Sequence, residues 1–343
     1  ERAGVQRVAH PGGRHDDGHL HAGQGRSLLG GVEDVKNKIV STADEPEIVF
    51  EADGLRILRM VRFAAELGFD VERNTFEIAK KNAWRVKDIA VERIRDELEK
   101  IFVADTKHPQ LNLKDAHVRG LAMLDKLGLV DMLFPELATL KDLEHPQKYH
   151  LYDAYNHSLK AYEYAPPRLR FAALLHDVGK AESIKRNGNM HAHAEIGAQM
   201  ADEICKRFKF STAERKKIVK LVALHMTDLK GDMSEAKLRR FVAINQDVVY
   251  DLCDLADADA LASCGRLDKE NRIRQIANEM RIDGTPLCVK ELKVDGNDLV
   301  ALGVDEKQRG KLLEELWLDT VMNPDLRDRD KALAYLKKKK KSV

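Results

Sequence analysis

The 343-residue chain is short of several things, and each shortage narrows what it can be. Its charges nearly cancel: 58 basic against 57 acidic side chains leave a net +1, so no global field points to a class of partner. Cysteine is scarce, and Cys205, Cys253, Cys264 and Cys288 form no C-x-x-C pair. Free thiols in a reducing cytoplasm are the simplest account of them. No stretch approaches the roughly 18 consecutive apolar residues of a membrane span, and no leader pattern opens the chain. Only two tryptophans occur. What is present in quantity is charge, 34% of residues. The balance predicts a soluble, cytoplasmic, helix-rich protein with no membrane partner, long enough for two or three compact units.

One run stands out against that background. Phe171-Ala172-Ala173-Leu174-Leu175 is apolar without interruption; His176-Asp177 follows at once, then Val178, Gly179 and Lys180. The apolar five predict a buried helix, so the imidazole and carboxylate emerge where a core meets a cleft. Burying such a pair without a partner is costly. A divalent metal ion removes that cost, because it needs a neutral imidazole and an ionised carboxylate. His157 lies nineteen residues upstream, and His193, His225 and Asp259 follow, each on a largely apolar segment that reads as helix. A lone histidine on such a face is usually a satisfied core or surface residue. Six nitrogen and oxygen ligands with no thiolate among them are harder to dismiss. His191 and Asp257 each stand two residues from a member of the set and compete for its place.

The order His157, His176-Asp177, Asp259 resembles the HD phosphohydrolase superfamily, and His193 and His225 match the extra histidines of its two-metal members. The setting Ala258-Asp259-Ala260-Leu261-Ala262 favours Asp259 over Asp257. The resemblance implies two divalent ions that share Asp177, one completed by His157, His176 and Asp259 and the other by His193 and His225. It implies His176, Asp177 and Lys180 as catalytic residues, with a water acidified between the ions and directed at phosphorus. Lys180 would neutralise a non-bridging phosphate oxygen. Phosphomonoesters and 2′,3′-cyclic phosphates at RNA ends suit such a site, and its ligands fit Mn, Fe, Ni, Co or Mg.

The rest of the chain changes texture near residue 30. Residues 1–29 hold His10, His15, His19 and His21, four of the thirteen histidines, and show neither helical nor strand periodicity. They are expected to be disordered or read out of frame. From Gly30 onward helices follow one another almost without strands. One is expected from a cap at Asp53 to about Leu67, with Ile57, Val61 and Ala64 on its apolar face and Gly68 ending it. Another is expected over 91–103, with Ile94, Leu98 and Ile101 as its seam. Arg56, Arg59 and Arg62 form a drifting cationic stripe on the first, and Arg93 and Glu97 project from one face of the second. Taken alone, these charges read as a solvated surface.

Residues 30–40, the run Asp53-Gly54-Leu55-Arg56-Ile57-Leu58-Arg59 and the run Val91-Glu92-Arg93-Ile94-Arg95-Asp96-Glu97 resemble something further. They are similar, in order, to the end of the catalytic head and the two neck motifs of bacterial CCA-adding enzymes and poly(A) polymerases. The sequence of parts is that of the HD-containing branch. The resemblance implies a parent enzyme that extends RNA 3′ ends from CTP and ATP, with tRNA as the partner. It implies that Asp53 and Arg56 read the base of the nucleotide and that Arg93 and Glu97 steady them. The glutamate of that Glu-Asp-x-x-Arg motif is Ala52 here, with Glu51 one place upstream. The family's head holds Mg ions on two aspartates beside a Gly-Ser phosphate loop. Residues 1–29 offer only the adjacent Asp16-Asp17, so a truncated enzyme without transfer chemistry is expected.

Residues 292–304 resemble the family's tail, a turn and a short helix ending at Gly303. Lys307, Arg309 and Lys311 flank Gly310, where amides at a helix start could meet a phosphate. Lys337–Lys341 are expected to form a frayed, solvated end. Together with Arg59 and Arg62, the tail cations are the candidate RNA contacts. The expected fold is all-α and multi-domain: 1–29 unassigned, 30–105 head edge and neck, 106–150 body, 151–282 HD domain and 283–343 tail. Two other readings stay open. A free-standing HD phosphohydrolase acting on small nucleotides would need neither neck nor tail, and a non-catalytic RNA-binding module would not need the full ligand set.

Overall fold

The computed structural model describes residues 28–141, 143, 152–229, 231–265 and 271–340. The histidine-rich opening with Asp16-Asp17 and the last lysine, Lys341, lie outside the described residues. The fold is all-α and multi-domain, as the periodicity predicts. The only sheet among the described residues is a parallel pair, β1 (Ile39–Val40) against β2 (Asp70–Val71). No helix among them is long and apolar enough to cross a membrane.

The first group of helices is α1 (Leu28–Lys36), α2 (Pro46–Ala52), α3 (Leu55–Leu67), α4 (Arg73–Asn82), α5 (Val91–Phe102) and α6 (Ala104–Lys107). The Asp53 carboxylate accepts the Leu55 N–H at 3.0 Å where α3 begins. Gly68 closes the same helix with φ 68°, turning its N–H back to the carbonyls of Ala64 and Ala65. That left-handed turn favours glycine. Ile57, Val61 and Ala64 of α3 meet Ile94, Leu98 and Ile101 of α5 in one core, so both predicted seams are the buried ones.

α7 (Ala116–Lys126), α8 (Leu129–Leu133) and α9 (Pro135–Ala138) extend this core. It does not stop there. It continues through Phe134 into α10 (Ala154–Tyr164), α11 (Arg170–Leu175), α12 (Lys180–Asn187) and α13 (His193–Arg207). Phe134 stacks on Phe208 with ring centres 5.0 Å apart and meets the edge of Phe171 at 5.9 Å. Arg170 locks the same junction. Its guanidinium is buried, donates to both Asp105 oxygens at 2.5 and 2.7 Å, and donates to the Phe102 carbonyl at 2.6 Å.

α14 (Thr212–Leu224), α15 (Glu235–Ile244), α16 (Val249–Cys264) and α17 (Arg272–Ile282) complete the next layer. α14 starts with a capping box, in which Ser211 accepts the Glu214 N–H and Glu214 accepts the Ser211 N–H. α10 and α16 cross on small residues: Ala161, Ala258 and Ala262 form their shared core with Leu255. This lets their backbones approach closely, which matters for the site below.

α18 (Gly296–Ala301), α19 (Glu306–Met322) and α20 (Arg329–Lys340) form the tail, with a small core of their own around Leu299, Leu312, Leu316 and Leu336. Gly303 follows α18 with φ 66°, as its position suggests. Two expectations for the tail need correcting. Gly310 is not at a helix start; it is inside α19, whose start at Glu306 is capped by the Asp305 carboxylate accepting the Lys307 N–H. The amides around Gly310 lie within the helix rather than at a start that could meet a phosphate. The terminal lysines are not frayed either: Lys337–Lys340 continue α20, and Lys339 pairs with Glu315 at 3.2 Å. Burial of Leu336 holds that last turn against α19.

Candidate functional site

Five chain segments converge on one buried polar cluster. His157 lies on α10 and Asp259 on α16, facing each other across the alanine-lined crossing, with His157 Nε2 2.9 Å from Asp259 Oδ1. His176 and Asp177 occupy the turn between α11 and α12. His193 is the first residue of α13, and His225 follows the last residue of α14. Helix ends are where a backbone can aim a short side chain across a crossing, and three of these five segments are helix ends.

The cluster forms two sets. His157, His176 and Asp259 make one; Asp177, His193 and His225 make the other. Asp177 also reaches the first set, because its Oδ2 lies 3.2 Å from His176 Nε2 and 3.5 Å from His157 Nε2. Its Oδ1 lies 3.4 Å from His193 Nε2 and 3.7 Å from His225 Nε2. One carboxylate therefore bridges both sets. His157 and His176 bring their Nε2 atoms to 3.3 Å, and His193 and His225 bring theirs to 3.1 Å.

The tautomers are set by the backbone. His176, His193 and His225 each place Nδ1 within 2.6–2.7 Å of a carbonyl three residues earlier, that of Ala173, Met190 and Val222. A carbonyl only accepts, so Nδ1 carries the proton and Nε2 presents its lone pair inward. Bare Nε2 lone pairs facing one another repel unless a proton or a metal ion lies between them. An ion held at about 2.0–2.2 Å by nitrogen and oxygen needs neighbouring donors about 2.8–3.6 Å apart, from octahedral to tetrahedral geometry. The observed separations, 2.9 to 3.7 Å, lie within about 0.1 Å of that range, so the donor set fits divalent ions.

Electrostatics point the same way. Burial opposes a charge on His176, yet the Asp177 and Asp259 carboxylates raise it to about 10. Burial also opposes ionised Asp177, but His176 and Lys180 hold its carboxyl well below the usual range. Asp259 is held low against burial by His157 and His176. His193 is pushed down by burial and by His225, despite Asp177. Two carboxylates in a dry pocket thus bind positive charge firmly, and a metal ion entering would displace protons.

The other expected residues divide. Lys180 is buried and donates to Asp177 Oδ2 at 2.5 Å, so it steadies the bridge. His191 is exposed and Asp257 is paired with Arg274 at 2.7 Å; neither belongs to the cluster. Arg93 donates to Asp53 at 3.1 Å, tying α5 to the start of α3. Glu97 reaches Arg62 at 2.7 Å rather than Arg56, and Arg62 also pairs with Glu66 at 3.0 Å. Arg62 is therefore neutralised within the fold. Arg56 is exposed and donates to the Val49 carbonyl, while Arg59 lies over the Phe63 ring. On the tail, Lys307 and Lys311 are exposed, whereas Arg309 bonds the Val304 carbonyl at 3.0 Å.

Two contributors escaped the sequence. Gly179 lies so close to α13 that a Cβ there would meet the His193 carbonyl at 2.2 Å and the Gly197 nitrogen at 2.4 Å. Arg170 ties the helix that leads into His176 to the first group of helices. Gly179 stood in view after His176-Asp177, but its close approach to residues 193 and 197 did not; nothing marked Arg170.

Comparison with known proteins adds the following. The HD domain family model matches residues 149–277, and the model described as the probable RNA and SrmB-binding site of polymerase A matches residues 68–141. The A-adding tRNA nucleotidyltransferase of Deinococcus radiodurans is 33% identical over 267 residues, covering 72% of this chain and 58% of that protein. The CC-adding tRNA nucleotidyltransferase of Thermus thermophilus is 32% identical over 255 residues, covering 69% and 55%. The chain thus spans just over half the length of these curated relatives. Among solved structures, the Bacillus stearothermophilus CCA-adding enzyme in complex with CTP has the same fold, with a TM-score of 0.54 at 19% identity over 92% of this chain and 69% of that one.

Proposed function

This chain belongs to the CCA-adding tRNA nucleotidyltransferase family, and we propose that it holds an RNA 3′ end and hydrolyses phosphate esters at its histidine–aspartate cluster. The observation that carries the hydrolytic reading is Asp177, a buried carboxylate whose two oxygens face two separate histidine sets. Divalent ions bound by those sets would supply an acidified water and neutralise charge on a phosphoryl group. The chain's own residues supply the rest. His176, His193 and His225 are held in the tautomer that presents Nε2, and Lys180 keeps the bridging carboxylate ionised and oriented. The turn between α11 and α12 places this bridge at the end of a buried apolar helix, where bulk water is excluded and charges act more strongly.

The RNA side of the reading rests on the matched residues 68–141 and on the contacts around α3. Arg93 fixes the Asp53 carboxylate, so Asp53 and Arg56 can offer acceptors and donors in a set geometry to a planar base edge, such as that of CTP or ATP. In this reading the helices before residue 142 and the tail hold RNA, and residues 151–282 carry the hydrolytic centre. The test is ring opening of 2′,3′-cyclic nucleotides to monophosphates, and phosphate release from RNA 3′-phosphates, with Mn, Co, Ni or Mg supplied in turn. His176→Ala and Asp177→Ala should each abolish release. Lys180→Ala should lower it by no more than about 10²–10³, the cost typical of losing one charge-stabilising donor. Normal turnover by the Asp177→Ala protein would remove the assignment.

A further inference from the structure

A cavity of about 530 Å³ opens between α5, α11 and α14, and none of the six cluster residues lines it. Its wall is aromatic and aliphatic, formed by Phe102, Phe171, Phe210 and Leu221. Phe171 and Phe210 lie 4.7 Å apart between ring centres, leaving ring faces and edges for a flat apolar guest. Its size and mostly apolar lining with a few polar groups are those of small-molecule sites.

The charges at its mouth decide what kind of guest. Three cations line it, but each is turned to carboxylates outside the cavity: Lys100 to Glu97, Lys217 to Asp251, and Arg168 to Asp251 and Asp254. Asp96 is paired with Arg95 at 2.9 Å. Glu214 caps its own helix, and no cation pairs with it among the described residues. Among the described residues the cation paired with Glu99 is Arg95, at 3.9 Å, a guanidinium already donating to Asp96 and to the Lys209 carbonyl. The negative charge facing the cavity is therefore the less satisfied one.

We propose that this cavity binds a small amphiphilic amine, an apolar ring or chain bearing one protonated nitrogen that rests against Glu99. Burial raises Glu99 above its ordinary value, and Glu214 and Asp96 raise it further, against the opposing pull of Arg95 and Lys100. An ammonium at the mouth offsets that strain while its apolar part fills the wall. The site is independent of the phosphate chemistry, since it shares no residue with it.

Two indole probes of opposite charge test this on the whole chain. Tryptamine should bind in titration calorimetry or saturation-transfer spectra at least roughly tenfold more tightly than indole-3-propionate, the discrimination expected of one charge-assisted contact. Glu99→Gln should erase most of that preference without changing metal content, and Val103→Phe, which narrows the cavity, should weaken both probes. Equal binding of the two indoles by the unmodified chain overturns the proposal and needs no variant. So does a Glu99→Gln protein, with an unchanged melting profile, that still prefers tryptamine.

Discussion

A single missing carbon at Gly179 sets where His193 stands. Since a Cβ would fall 2.2 Å from the His193 carbonyl, Gly179→Ala must push the start of α13 away from Asp177. If each set holds one ion, as proposed, the expected result is loss of the ion at His193 and His225 with retention of the one at His157, His176 and Asp259. Elemental analysis should read about half the bound metal of the unmodified chain, and undiminished metal would contradict this reading of the packing. His117 makes a second prediction at this scale. It is buried 3.6 Å from Asp105, and burial together with Arg170 lowers it below its ordinary 6.5. Below about pH 6.5 the unfolded chain therefore takes up a proton that the folded chain refuses, so stability present above that value is lost as pH falls. His193 acts in the same direction. His117→Gln should flatten part of the fall in urea midpoint between pH 7 and 5; an unchanged slope would exclude His117 as a cause. The six cluster residues were legible in the sequence because ligand chemistry is carried by residue type and order. The need for glycine at 179 was not, because a close approach between helices is a fact about two distant segments.

At the scale of elements, α11 is too short to stand by propensity alone. Its six residues hold because Arg170 grips Asp105, Phe102 and the Ala165 carbonyl. Arg170→Met would strand the Asp105 carboxylate, which burial disfavours and Arg170 keeps ionised. Removing one partner of a buried pair costs about 3–5 kcal/mol, and the urea midpoint should fall accordingly. If Asp105→Asn in the same chain did not recover part of that loss, the stranded charge would not be its source. Helices α3 and α5 could be read from their apolar spacing to within a residue at their ends. The anchorage of α11 could not, since an arginine before an apolar run says nothing of its partner. α19 was misread at its start because Gly310 drew attention from Asp305, whose short carboxylate is the ordinary way to begin a helix.

For the whole molecule, RNA binding should weaken as salt rises, since each phosphate contact releases counterions. The structure sharpens which tail residues matter. Neutralising exposed Lys307 and Lys311 should flatten the log–log salt slope by up to about 0.9 for each contact made on duplex RNA. Neutralising Arg309, already bonded to Val304, should change it little. Filter binding of tRNA at several salt concentrations would show the difference, and a double lysine variant with the parent slope would take the tail out of the interface. The core that passes through Phe134 into α11 and α13 has a consequence for the chain as a material object. Severing the backbone near residue 150 should not part the molecule, because Phe134 on one piece stacks on Phe208 and meets the edge of Phe171 on the other, and Arg170 still grips Asp105. Two halves made from separate genes should be insoluble apart and recover a folded, nicked protein when produced together.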